Sequence, residues 1–153
     1  MPTIRSVQPP PSGLAGPSPS DPDALASPDG STSALASVLL VEDGFLLRTV
    51  SAGTLADLGY RTYEVPDADQ ALTILATNRE IKVLITDVNL PGMDGKTLAA
   101  EARRIRPEIR VLFVTGYSRK IVKDIDLTDG VTGYLSKPFQ HQDLDRALRR
   151  LLM

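Results

Sequence analysis

From Ser37 to the C-terminus the sequence alternates, five times over, between a short strand-like run and a stretch with helical spacing. No other feature restricts the fold as strongly. Strands joined in sequence through helices run parallel, and a parallel sheet needs helices on both faces. The strand-like runs are Ser37–Val41, Tyr60–Val65, Ile81–Thr86, Ile109–Val114 and Val131–Ser136. The third is the most telling. It is apolar until Asp87, and Pro91-Gly92 turns the chain soon after. A short apolar run bounded by turn residues is the pattern of a strand buried on both faces.

The helical stretches are legible to different degrees. The first spans about Gly44 to Leu58, with Leu46, Val50 and Gly53 on one face and Gly59 at the stop. Pro66 suits the first turn of the second, whose face is Ala68, Ala71, Leu72 and Leu75. Asp94 caps the third, which runs to about Ile105 with Leu98, Ala102 and Ile105 on its face. Arg103, Arg104 and Arg106 lie near its end, where positive charge suits the helix dipole. The last begins near Gln140 and aligns Leu144, Ala147, Leu148 and Leu151. The fourth, Ser118 to Gly130, is weak: Ile121, Val122 and Ile125 form a partial face that Asp126, Thr128, Asp129 and Gly130 break. One or two helical turns and a loop are expected there.

Four of the strands end in polar residues: Glu42-Asp43, Asp87, Thr115 and Lys137. In open α/β sheets ligands bind beyond the carboxyl ends of the strands. Each residue has a plainer use. Asp43 suits a helix N-cap, Asp87 a turn, Thr115 a hydroxyl bonded at the strand end, and Lys137 a solvated charge. Their shared position at strand ends points instead to joint chemistry. Clustered carboxylates repel, and a hard divalent cation relieves the repulsion. Mg²⁺ takes oxygen ligands, one or two carboxylates among them, and a phosphate. An ionised Asp87 beside it is a nucleophile toward phosphorus. Phosphoryl transfer needs mainly positioning and charge neutralisation, which Mg²⁺ and Lys137 supply. Gly116 leaves room for a phosphodonor.

Composition removes competing chemistries. The chain has no cysteine and one histidine, so thiolate sites, a cysteine nucleophile and histidine clusters are excluded. No apolar run approaches the roughly 20 residues of a membrane span, and no secretory signal opens the chain. A soluble cytoplasmic protein is expected, with no membrane partner. The first 36 residues hold 8 of the 12 prolines and show no apolar periodicity, which predicts a disordered Pro/Ser-rich tail. The remainder balances 16 basic against 16 acidic side chains, which argues against nucleic acid as a partner.

Four motifs carry a family resemblance: V-L-L-V-E-D (38–43), L-I-T-D-V-N-L-P-G-M-D-G (84–95), V-T-G-Y (114–117) and Y-L-S-K-P-F (134–139). With them the chain resembles the receiver domain of two-component response regulators, the chemotaxis-regulator type. It is most similar to receivers of hybrid histidine kinases or their stand-alone relatives. The resemblance covers Ser37 to Met153, read as one receiver domain after the 1–36 tail. It implies a flavodoxin-like (βα)5 three-layer sandwich with parallel strand order 2-1-3-4-5; the short or irregular fourth helix read above departs from the family pattern.

The resemblance also implies roles. Asp87 is the phosphoacceptor, with Glu42 and Asp43 the acidic pair at Mg²⁺ and the backbone carbonyl of Asn89 a further ligand. Thr115 is the switch hydroxyl, Lys137 the phosphate-pairing lysine, and Tyr134 the aromatic that turns inward on activation. The Lys137–Pro138 peptide is expected to be cis. The phosphodonor is a phosphohistidine on a histidine kinase or a histidine phosphotransfer protein. His141, early in the last helix, is not that histidine and is expected to be solvated. The output expected is phosphorylation-dependent contact with a downstream protein. The chain catalyses only its own phosphorylation and dephosphorylation. The expected end of the chain at the last helix leaves no room for a DNA-binding or enzymatic output domain. Alternatives are a phosphate sink or shuttle in a phosphorelay and a phosphorylation-independent interaction module. An aspartate-nucleophile phosphatase carries a second Asp where this chain has Asn89.

Overall fold

The computed structural model describes residues 3–5, 36–116 and 125–153. The elements are β1 (Thr3–Arg5), β2 (Ser37–Val41), α1 (Phe45–Asp57), β3 (Arg61–Val65), α2 (Ala68–Thr77), β4 (Ile81–Asp87), α3 (Gly95–Ile105), β5 (Arg110–Thr115), β6 (Thr132–Ser136) and α4 (His141–Leu152). They form one sheet in the order β1-β3-β2-β4-β5-β6. Strands β2 to β6 are mutually parallel and follow the expected 2-1-3-4-5 order.

Alternation along each strand builds two cores. Leu39 and Val41 of β2 face one side of the sheet with α2 and α3, through Ala71, Leu75, Leu98 and Ala102. Val38 and Leu40 face the other side, with Ala52 and Leu55 of α1 and Leu144, Leu148 and Leu151 of α4. Each fully buried aliphatic side chain of this kind contributes roughly 1.5–3 kcal/mol. The ladders also set the level of the strand ends. Val41 lies opposite Thr86, Asp87 opposite Val114, and Thr115 opposite Ser136.

Local signals behave largely as expected. Asp94 caps α3 by accepting from the Thr97 N–H at 2.8 Å, and Gly59 closes α1 with a positive φ of 101°. At α2 the cap is Asp67, which accepts from the Gln70 N–H at 2.9 Å; Pro66 precedes the helix and does not open its first turn. The Lys137–Pro138 peptide is cis. The Ile125 to Val131 stretch carries no helix, and residues 117–124, with most of the weak fourth helical face, lie outside those described. No described helix is long and apolar enough to cross a membrane.

Two features depart from expectation, and a third was not foreseen. The tail contributes a strand: β1 pairs antiparallel with β3, Thr3 opposite Glu64 and Arg5 opposite Thr62. An open sheet edge offers unpaired N–H and C=O groups that any extended segment can satisfy. Residues 6–35, the bulk of the expected disordered tail, lie outside those described. The face of α1 is also reversed. Leu46 and Val50 point to solvent, 70% and 61% exposed, while Ala52 and Leu55 are buried. Finally, Arg106 is no surface charge. It is 4% exposed, and its guanidinium donates to the carbonyls of Asn78 at 2.9 Å, Arg79 at 3.2 Å and Ile81 at 2.7 Å. It thereby ties the end of α3 to the turn between α2 and β4.

Arg106→Ala strands the buried Ile81 carbonyl and frees the part-buried carbonyls of Asn78 and Arg79. We expect it to lower the unfolding free energy by about 3 kcal/mol in urea melts. A loss below about 1 kcal/mol would mean that water replaces the guanidinium at little cost.

Candidate functional site

The carboxyl ends of β2, β4, β5 and β6 meet in one cleft. Asp87 is the last residue of β4 and half-buried. Its Oδ1 accepts from the Asn89 N–H at 3.0 Å, so it does shape its own turn. Its Oδ2 accepts from Lys137 Nζ at 3.0 Å. The same ammonium donates to Glu42 Oε1 at 3.2 Å, and Glu42 Oε2 accepts from the Gly44 N–H at 3.2 Å. Glu42 is buried and its backbone N–H donates to the Val65 carbonyl at 3.2 Å. Asp43 is exposed beside it. It does not cap α1, because the N-cap is Gly44 and no side-chain bond is made there.

Thr115 is fully buried at the end of β5. The Lys137 backbone N–H donates to its carbonyl at 3.0 Å, which joins the two strand ends. Gly116 is exposed, and the nearest atom to a Cβ placed there is Lys137 Cβ at 3.9 Å, an ordinary contact. Tyr134, in β6, is half-buried and packs against the α2–α3 core. His141 is exposed at the start of α4.

Two forces act on Lys137. Burial disfavours its charge, but the hydrogen bond to Asp87 and the charges of Glu42 and Asp87 outweigh that. Its pKa is raised above the ordinary 10.5.

Glu42, Asp87 and Lys137 are therefore in contact, with Thr115 and Asp43 on the adjoining strand ends. The acids do not form a ready-made cage: among the described residues no group of three acids or histidines could hold a metal ion by itself. The Glu42 carboxylate is turned to Lys137 and Gly44, which explains this. A cage is not what Mg²⁺ requires, because it binds through one or two carboxylates and keeps several waters. Exposed Asp43, the Asp87 carboxylate and the Asn89 carbonyl suit such an ion.

One feature went unpredicted. Phe45, Leu46, Leu47 and Val50 form an exposed apolar face on α1. It borders a groove of about 400 Å³ whose walls include Leu47, Val50, Lys137, Pro138 and Phe139. The excess of apolar residues at the start of the helix was the available signal. Apolar side chains all round a helix exceed what one buried face can take.

Residues 38–149 match the family described as the response regulator receiver domain. The sensor kinase CckA of Brucella abortus is 34% identical over 118 residues; the match takes in 76% of this chain and 12% of the kinase. A chemotaxis protein CheY homolog of Campylobacter jejuni is 32% identical, over 75% of this chain and 91% of that protein. Among solved structures, the receiver domain of a Pseudomonas aeruginosa sensor histidine kinase superposes with a TM-score of 0.68 at 30% identity. That match spans 76% of this chain and 97% of that one, and the neighbour carries a magnesium ion coordinated in its active site cleft.

The Lys137 shift sets a pH dependence. A group with a raised folded pKa contributes its stability in full below the unfolded value and loses it as pH rises through the folded one. The wild type is expected to lose stability above pH 10.5 relative to Lys137→Met. Urea melts of both proteins on either side of that pH check it; parallel curves would show that the ion pair is not coupled to folding.

Proposed function

The chain belongs to the response regulator receiver domain family, and from that premise we propose that Asp87 accepts a phosphoryl group from a phosphohistidine on a partner protein. The observation that carries this reading is the Lys137 ammonium shared between Glu42 Oε1 and Asp87 Oδ2. One cation thus lies against Asp87 and against Glu42 of the acid pair at once. In the step itself an Asp87 carboxylate oxygen forms a bond to phosphorus. The phosphorus–nitrogen bond to the partner imidazole breaks, and the imidazole leaves with the electron pair. Lys137 then pairs with a phosphoryl oxygen in place of Asp87. The missing side chain at exposed Gly116, next to Thr115, leaves room for the donor. Asp43, Asp87 and the Asn89 carbonyl are the residues that would hold Mg²⁺, with Glu42, engaged by Lys137, beside them; when bound the ion supplies neutralising charge to the phosphoryl oxygens. The magnesium in the cleft of the Pseudomonas receiver supports this.

Signalling follows from the new charge. A phosphoryl group adds nearly two negative charges and strong acceptor oxygens. The Thr115 hydroxyl shifts toward them, and Tyr134 turns into the space it leaves. The output is contact with a downstream protein, and the chain acts as a signalling domain and not as a classical enzyme. The partner that carries the phosphohistidine docks a helix on Phe45, Leu46, Leu47 and Val50. The groove beside them runs to Lys137, so a helix seated there brings its histidine to Asp87.

Two measurements test this. With a small-molecule phosphodonor and Mg²⁺, intact mass should rise by one phosphoryl group in the wild type and not in Asp87→Asn; equal gain by the variant would move the acceptor elsewhere. Leu46→Asp with Val50→Asp should slow transfer from the phosphohistidine partner about tenfold, roughly 1.4 kcal/mol. Transfer from the small donor should slow much less. Equal slowing with both donors would show that the α1 face is not the dock.

A further inference from the structure

Arg48 belongs to the first turns of α1, on the helix that carries the exposed apolar face, yet its side chain is only 16% exposed. It turns back beneath the acid loop. Its Nη1 donates to the Glu42 carbonyl at 2.9 Å. Its Nε lies 3.8 Å from Oε1 of Glu64, a carboxylate 4% exposed on β3. Its guanidinium carbon sits 5.6 Å from the centre of the Phe45 ring. A surface arginine has no need of three such partners, and a long side chain loses much rotamer freedom in meeting them.

The contact with Glu42 is the informative one. Strand β2 ends at Val41, paired with Val65 and Thr86. The Glu42 N–H is still held by the Val65 carbonyl, but the Glu42 carbonyl lies past the ladder. That carbonyl shares a rigid peptide plane with the Asp43 N–H. Whatever holds it fixes the direction in which Asp43 leaves the backbone. The guanidinium also lays positive charge behind a loop that carries two acids and faces a third, Asp87.

We propose that Arg48 is a positioning residue for the acid pair: it pins the Glu42–Asp43 peptide from behind, anchored on buried Glu64, and so holds both carboxylates toward the Asp87 cleft. This deepens the magnesium reading above and rests on it. Arginine suits the task where lysine does not, because a planar guanidinium serves two acceptors from one side chain and an ammonium is a single point charge. Groups that orient metal ligands from outside the coordination sphere typically change metal affinity 10–100-fold when removed.

The test is Mg²⁺ titration by calorimetry on the full chain, for the wild type, Arg48→Gln, Arg48→Lys and the double variant Arg48→Gln with Glu64→Gln. Amide exchange of Asp43 and Gly44 is followed in the same metal-free proteins. Arg48→Gln is expected to weaken Mg²⁺ about tenfold and to speed exchange at both amides, with Arg48→Lys in between. The double variant separates positioning from mere stability. It neutralises the buried carboxylate that Arg48 faces, and Mg²⁺ affinity is expected to stay weak and the loop fast whichever way thermal stability moves. Affinity that returns with stability, or that never falls in Arg48→Gln, overturns the assignment. If Arg48→Gln does not fold, the double variant and Arg48→Lys decide by the same criteria. A wild type that binds no Mg²⁺ overturns the metal reading itself, and the Arg48 role with it.

Discussion

One ammonium shared by two carboxylates closes the carboxyl edge of the sheet, and the rest of the site is arranged around it. Lys137 reaches Glu42 from β6 across the full width of β5 and β4, with Asp87 between them. Such a bridge is weak evidence for global stability, since desolvating the ions offsets much of their attraction. Its value is local. Without the ammonium, two carboxylates would face each other on adjacent strands and push the strand ends apart. The parallel ladders make the bridge possible by bringing Val41, Asp87 and Thr115 to nearly one level.

The site was legible in the sequence because its residues sit at positions that the fold cannot hide. A polar residue that ends an apolar run must emerge at the sheet edge, and Glu42, Asp43, Asp87, Thr115 and Lys137 all do so. The buried faces of α2 and α4 were readable for a related reason: only one stripe of each is apolar enough to bury. Helix α1 defeated that logic. With Phe45, Leu46, Leu47 and Val50 all apolar, spacing alone allows several faces, and the sheet selected Ala52 and Leu55. The burial of Arg106 had no sequence signal, because a charge at a helix end suits the dipole from outside or inside, and only the tertiary fold supplies the carbonyls that draw it in. Strand β1 had no signal at all. Three residues carry no period, and their pairing depends on the open edge of β3.

Helix α1 also shows how one element serves two surfaces. Its inner side anchors the core through Ala52 and Leu55, its outer side leaves a hydrocarbon face beside the cleft, and Arg48 runs between them to the acid loop. A contact made on Phe45 lies one cation–π interaction away from the guanidinium beneath it.

Gly95 packs directly against the backbone of Asp87 and Val88. It opens α3, its N–H donates to the Val88 carbonyl at 2.7 Å, and a Cβ at this position would collide with the Asp87 carbonyl and come within 2.9 Å of the Val88 Cα. The helix therefore packs its first turn directly on the backbone that carries Asp87. The main chain of Asp87 is thus braced from the α3 side. On the proposal above, the side chain that would gain a bulky anion hangs from a backbone against which a helix is already packed. Packing this close is possible only because position 95 lacks a methyl group.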